Sequence, residues 1–297
     1  MRFLLPLLMI QGCTFVLYDE RCDTADVSVV DDTGEAPLLW ASLGAGSIHS
    51  CGLDEVGEIS CWGGDPEGQT DAPEGSFGAL ALGHAHSCAL DVDGAVHCWG
   101  RNDEGQNDLS GTFASISAGG AHTCGLDEAG ALECVGRNDE GQTDAPEGPF
   151  KAVSSGWSHT CAVQVDDTVV CWGSISPTKV DTALSTIDSG QGFSCGLDLS
   201  GSMVCWGETA VDLSEVPSDE TFVELAAGAK HVCARAEEGL VRCWGANDAG
   251  QLDAPQVPVH GLVSGAGSLH SCAVDGPDGS LGEARCWGLD AENQLIP

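Results

Sequence analysis

Basic residues are scarce in this chain: 10 Lys and Arg stand against 46 Asp and Glu, a formal net charge of −36 over 297 residues. A surface of that sign repels phosphate backbones and anionic head groups, which argues against a nucleic-acid partner and against electrostatic membrane binding. Long apolar runs are scarce too, and beyond the first dozen residues no segment is fit to cross a bilayer as a helix. The chain also lacks a phosphate-cradling glycine loop ahead of a helix, a nucleophile elbow, and any carboxylate pair that the sequence places in a defined site. No stretch carries the periodicity of an ordinary helix. What is abundant is glycine, 41 residues, beside 42% apolar residues and 16 cysteines. That mixture supplies a core, asks for many tight turns, and reads as a β protein of an oxidising compartment.

The N-terminus agrees with export. MRFLLPLLMIQGC has one positive charge, an apolar run from residue 3 to 10 and a small residue before Cys13. The stretch Ile10-Gln11-Gly12-Cys13 resembles the lipobox of bacterial lipoproteins, although Gln11 departs from the small or hydroxyl residue usual there. The expectation is a lipoprotein-type signal over 1–12, lipidation of Cys13, and an acidic tether over 13–37. Cys22 is then a lone thiol or an intermolecular link; if Cys13 is retained, the two can bridge. Residues 26–30 are a candidate closing strand for a ring built from the remainder of the chain.

From residue 38 to 297 one phrase recurs seven times, as in HSCALDVDGAVHCWG. Its first cysteines are Cys51, Cys88, Cys124, Cys161, Cys195, Cys233 and Cys272; their partners are Cys61, Cys98, Cys134, Cys171, Cys205, Cys243 and Cys286. A bulky apolar residue stands eleven positions before the first cysteine in six units: Trp40, Phe77, Phe113, Phe150, Leu184 and Phe222. In the seventh, Gly261 followed by Leu262 breaks the pattern. Each unit holds about three short strands, too few to bury both faces alone, so neighbours must stack. Seven such units favour a closed ring, a seven-bladed β-propeller, over a linear β-solenoid, whose period is usually shorter.

The phrase FASISAGGAHTCGLDEAGALECVGRNDEGQ resembles the repeat of the regulator of chromosome condensation superfamily, and especially its compact bacterial members, such as the propeller-type β-lactamase inhibitory protein. The resemblance spans 38–297 and implies an all-β, seven-bladed propeller. Short blades, a cysteine pair in every unit and the lack of a basic tail depart from the eukaryotic members, so nucleosome binding and nucleotide exchange do not carry over.

Within a unit, opposing Cys88 and Cys98 across two antiparallel strands sets Ser87 against Trp99 and His86 against Gly100. It leaves Val92-Asp93-Gly94 as a turn whose glycine adopts the left-handed conformation. Gly57, Gly130, Gly201 and Gly239 share that place, Asp167 replaces it in the fourth unit, and the seventh has a longer turn at 275–279. His49, Cys51 and Cys61 on one face also form a zinc-type ligand set. Recurrence in every unit, together with an export signal, favours a structural disulfide. His49, His86, His122, His159, His231 and His270, with Phe193 in the fifth unit, are either a histidine-lined shaft for a metal or anion or, as favoured, packing and hydrogen-bonding groups inside each blade. The acidic loops at 65–71, 102–108, 138–144 and 247–253 lack the alternating aspartates of a calcium loop and read as turn chemistry. Units four and five lose this phrase, at 174–183 and 208–218, which puts divergent loops on one rim.

Together these features describe an exported, lipid-anchored, monomeric, non-catalytic scaffold of the bacterial envelope, with no cofactor and with protein as its partner. A carbohydrate- or ion-binding module, or a hydrolase or lyase at the shaft, are the alternatives.

Overall fold

The computed structural model describes residues 38–176, 178–207, 216 and 220–295; the signal, lipidation and tether expectations for 1–37, with Cys13 and Cys22, lie outside them. Residues 39–297 form one compact unit. Its strands make seven antiparallel sheets in chain order. Blade one is β1 (Ser42–Ala45), β2 (His49–Leu53) and β3 (Ile59–Gly63); blade two is β4 (Phe77–Leu82), β5 (His86–Asp91) and β6 (Val96–Gly100). Blade three is β7 (Ser115–Ala118), β8 (His122–Leu126) and β9 (Leu132–Gly136). Blade four is β10 (Phe150–Ser155), β11 (His159–Gln164) and β12 (Val169–Gly173), with a short fourth strand β13 (Lys179–Val180) inside the divergent stretch after Trp172. Blade five is β14 (Leu184–Ser189), β15 (Phe193–Asp198) and β16 (Met203–Gly207); blade six is β17 (Glu224–Ala227), β18 (His231–Arg235) and β19 (Val241–Gly245). Blade seven is β20 (Val259–Ser264), β21 (His270–Asp275) and β22 (Ala284–Gly288). The fold is the seven-bladed propeller that the repeat predicts.

The hairpin register is the expected one in every blade, with Cys88 against Cys98, Ser87 against Trp99 and His86 against Gly100. All seven cysteine pairs are joined as disulfides, with Cα atoms 4.0–4.1 Å apart. In the turns of blades one to six the fourth residue takes positive φ, at Gly94 (81°) as at Asp167 (71°), because the backbone must reverse there within three residues, and the longer turn of blade seven uses Gly276 and Gly279.

Seven buried apolar clusters sit between blades, one per interface. Phe77, for example, leaves blade two to pack with Leu53 and Ile59 of blade one. Its N–H donates to the carbonyl of Gly57, the turn glycine of the preceding blade, at 2.8 Å. That bond identifies the equivalent residue in blade seven, where Val259 donates to Gly239 at 3.0 Å. The seventh unit therefore keeps its apolar anchor, in Val259. A bulge between His260 and Val263 inserts one residue into β20, as bulges do in β4, β10 and β14, and the two residues that displace the anchor lie in the longer turn 265–269 before β21.

Ring closure repeats the same contacts. Trp40 N–H donates to Gly282 of blade seven at 2.8 Å, and Trp62 Nε1–H donates to the carbonyl of Gln294 at 2.9 Å. The chain thus closes at a blade boundary, with the loop after β22 capping blade one.

Candidate functional site

The recurring columns of the repeat resolve first into joinery. His49 Nε2 lies 2.8 Å from Ser87 Oγ, and the relation recurs from His86 to Thr123, His122 to Thr160, His159 to Ser194, His231 to Ser271 and His270 to Ser50, all within 2.9 Å. Each pair joins one blade to the next. The expectation of a role inside each blade is corrected: the imidazole stands beside its own cysteine but reaches the neighbour's hydroxyl, because the small residue opposite the Trp faces the interface. Ser87, Thr160 and Ser50 donate in turn to the carbonyls of Gln69, Gln142 and Gln294 at 2.9–3.0 Å. A hydroxyl has one proton, so the imidazole must be the donor and carry its proton on Nε2. Nδ1 of five of these histidines is left buried without a partner. A second proton there would find no acceptor. Burial accordingly holds their pKa values down, to about 3 at His49, His122 and His270 and about 4 at His86, His159 and His231.

The acidic loops at 65–71, 102–108, 138–144 and 247–253, and the similar stretch 290–294, belong to the same joint. The Gln142 carbonyl receives both Thr160 and the indole N–H of Trp172 at 2.9 Å, while side-chain oxygens of Gln69, Gln106, Gln142, Gln251 and Gln294 each take a backbone N–H two residues upstream. Asn102 and Asp108, like Asn138 and Asp144, bond each other across their loops at 2.8–2.9 Å. These loops use their oxygens on themselves, as turn chemistry requires. Among the described residues no three His, Cys, Asp or Glu converge as a metal-ligand set. With every thiol of the repeat in a disulfide and the imidazoles turned to the next blade, the zinc-type reading of His49, Cys51 and Cys61 is not supported.

The shaft is lined by the first strand of the blades, a cavity of about 240 Å³ bounded by Leu43, Leu80, Ile116, Val153, Ile187 and Val263 with small residues between. Opposite the first cysteines the ring reads Gly44, Ala81, Ser117, Ser154, Asp188, Ala226, with Val263 in the seventh blade. Asp188 supplies its one carboxyl, bonded by the N–H groups of Ala227 (2.7 Å) and Ser189 (2.9 Å) and by Ser154 Oγ (3.1 Å). Burial wins over these bonds and lifts its pKa to about 6. No second carboxyl or imidazole lines the described shaft beside it, so an acid–base pair is not assembled.

One end of the shaft breaks the symmetry. The residue two before each histidine position is Ser47, His84, Gly120, Trp157, Gln191, Ala229 or Ser268, small except at blades two, four and five. Trp157 reaches from blade four across this mouth, so that a side chain at Gly267 of blade seven would collide with its indole. His84 stands against it, with ring centroids 4.8 Å apart at 61°. Between them lies a pocket of about 270 Å³, walled by Arg101, Glu104, Arg137 and Asp139 as well. Neither Trp157 nor His84 was singled out from the sequence. Their signal is a departure within one column of the aligned units, visible only once the column's place in the ring is known.

Four segments, 79–106, 113–142, 150–174 and 222–251, match the regulator of chromosome condensation (RCC1) repeat. No curated protein matches the chain significantly. Among solved structures it is similar to the ectodomain of the Physcomitrella patens receptor kinase CR4, at 25% identity and TM-score 0.71 over 84% of this chain and 73% of that one. It is similar in fold to the crinkly ectodomain of the Arabidopsis thaliana receptor kinase ACR4, at 21% identity and TM-score 0.71, covering 86% and 98%. Prp20p of Saccharomyces cerevisiae, described with its binding to Gsp1p and histones, shares the fold at 19% identity and TM-score 0.60, covering 76% and 80%.

Proposed function

We propose that this propeller of regulator of chromosome condensation repeats is an exported, lipid-anchored, non-catalytic scaffold that holds a protein partner on one face. Propellers of this repeat are generally protein-binding scaffolds, and the face is argued from where the repeat fails. Six of the seven interfaces keep the imidazole–hydroxyl joint, while Trp157, Arg101, Arg137 and the segment following β12 depart from the repeat at the same end of the blades. Selection for binding acts on such loops, whereas a scaffold column stays uniform. Within the shaft cavity Asp188 is the one carboxyl, and the preference for a binding role over a hydrolase or lyase rests on the repeat and on the divergent rim.

Seven disulfides accord with an oxidising compartment. The signal-like residues 1–12 and Cys13 supply the export and anchoring part of the proposal, the charge of −36 speaks against a nucleic-acid partner, and the described blades leave only short outer strands as sheet edges, which favours a monomer. A pull-down from surface fractions tests the face: replacing 174–183 and 208–218 by the common phrase removes the captured protein, and an unchanged set of partners overturns the assignment. Metabolic labelling with palmitate tests Cys13, its incorporation ending in Cys13→Ser.

A further inference from the structure

Two separate columns of the repeat deviate at one spot. After the Trp-Gly of each blade, Val-Gly in blade three, the next residue is Gly64, Arg101, Arg137, Ser174, Glu208, Ala246 or Leu289, so arginine appears there in blades two and three alone. Those blades flank the pocket whose other walls are His84 and Trp157, the aromatic members of the shaft-mouth column. Gly120 stands between them, and a side chain at that position would run into the Trp157 carbonyl and indole. The backbone anchors the set, because Arg101 N–H donates to Ala85 and Arg137 N–H to Ala121, each at 2.9 Å, beside His84 and Gly120.

The lining of the pocket is balanced in charge, Arg101 and Arg137 against Glu104 and Asp139, with Asp103 outside that lining. Arg101 Nε holds Asp103 at 2.8 Å and Arg137 Nε holds Asp139 at 2.9 Å, with Glu104 close by. An anion would meet those carboxylates and a cation would meet the guanidiniums. What the wall offers is donors and acceptors side by side in planar arrays, an aromatic surface at their foot, and a His84 Nδ1 that is buried without a partner among the described residues. Its volume is that of one six-membered sugar ring rather than of a drug-sized ligand. We propose that the pocket between His84, Trp157, Arg101 and Arg137 binds a neutral sugar residue, with its hydroxyls on the Arg–carboxylate pairs and its apolar C–H face toward the indole.

The test is saturation-transfer NMR of the purified propeller with glucose, galactose, mannose and N-acetylglucosamine, and with phosphate and acetate as anionic probes. A single sugar of about a dozen heavy atoms is expected to bind with a Kd on the order of 1–10 mM. Arg101→Ala with Arg137→Ala, both at the surface, should weaken it about tenfold or more, at an unchanged melting midpoint. Trp157→Ala should abolish transfer to the sugar C–H protons. A glycan array read beside the free sugars distinguishes a free ligand from the terminal sugar of a glycan, and either supports the site. Saturable binding of phosphate or acetate in place of sugars, no sugar bound at about 50 mM, or sugar binding indifferent to the arginines each overturns it.

Discussion

Phe193 of blade five and Val232 of blade six lie in one buried cluster, at the interface where every other blade pair sets an imidazole against a hydroxyl. The two exceptions in the repeat are thus a single exception: losing the donor removed the need for the acceptor. Putting back one partner alone buries a polar group with nothing to bond. Phe193→His and Val232→Ser are each expected to cost about 1–3 kcal/mol, and the double variant to recover most of that. Urea unfolding of the four proteins closes the cycle, and additive costs would refute the pairing.

Ring closure rests on the residues after β22. The Gln294 carbonyl receives Ser50 Oγ at 3.0 Å and Trp62 Nε1 at 2.9 Å, so a chain ending at Leu289 leaves both donors of blade one without their acceptor. A loss of about 2 kcal/mol or more is expected, with hydrogen exchange accelerating first in β1 to β3. Uniform acceleration around the ring would place the weak joint elsewhere.

What the sequence made legible is local. A period of two, a turn with its glycine and two cysteines fixed which residues oppose each other, down to His270 against Gly288 across the longer seventh turn. What it hid needed the ring. His86 lies 37 residues from Thr123, and no spacing along one strand points from one to the other. The shaft-mouth pocket was hidden for the same reason, since His84, Arg101, Arg137 and Trp157 come from three units and meet only after closure. Val135 takes the place of Trp in blade three and packs beside Phe113 and Leu109.

The disulfides contribute through the unfolded chain. Each of six closes a span of 10 residues, for which chain entropy gives about 2–3 kcal/mol. Cys124→Ala with Cys134→Ala should lower stability by about that amount while blade three stays folded between its neighbours. Alkylation of the unfolded, unreduced protein should leave all fourteen repeat cysteines unmodified by mass. Modified repeat thiols in protein from its native compartment would contradict the oxidising environment.

The histidine joints make stability depend on pH in a defined direction. Their folded pKa values, about 3 to 4, lie below the ordinary 6.5, so below that pH the unfolded chain takes up protons that the folded ring refuses. The stabilisation is complete above pH 6.5 and is lost as the pH falls toward the folded values. Asp188 works the other way: raised from 3.8 to about 6, its contribution is complete below 3.8 and fades as the pH rises through 6. Six imidazoles outweigh one carboxyl, and down to about pH 5 ordinary carboxylates stay ionised and leave the window to them. From pH 7.5 to 5.5 each histidine is expected to cost about 1 kcal/mol, several kcal/mol in all. Giving blade two the blade-five solution, His86→Phe with Thr123→Val, should reduce the drop in urea midpoint by about one sixth, the share of one histidine among six. An equal drop in both proteins would mean that the acid sensitivity resides outside these joints.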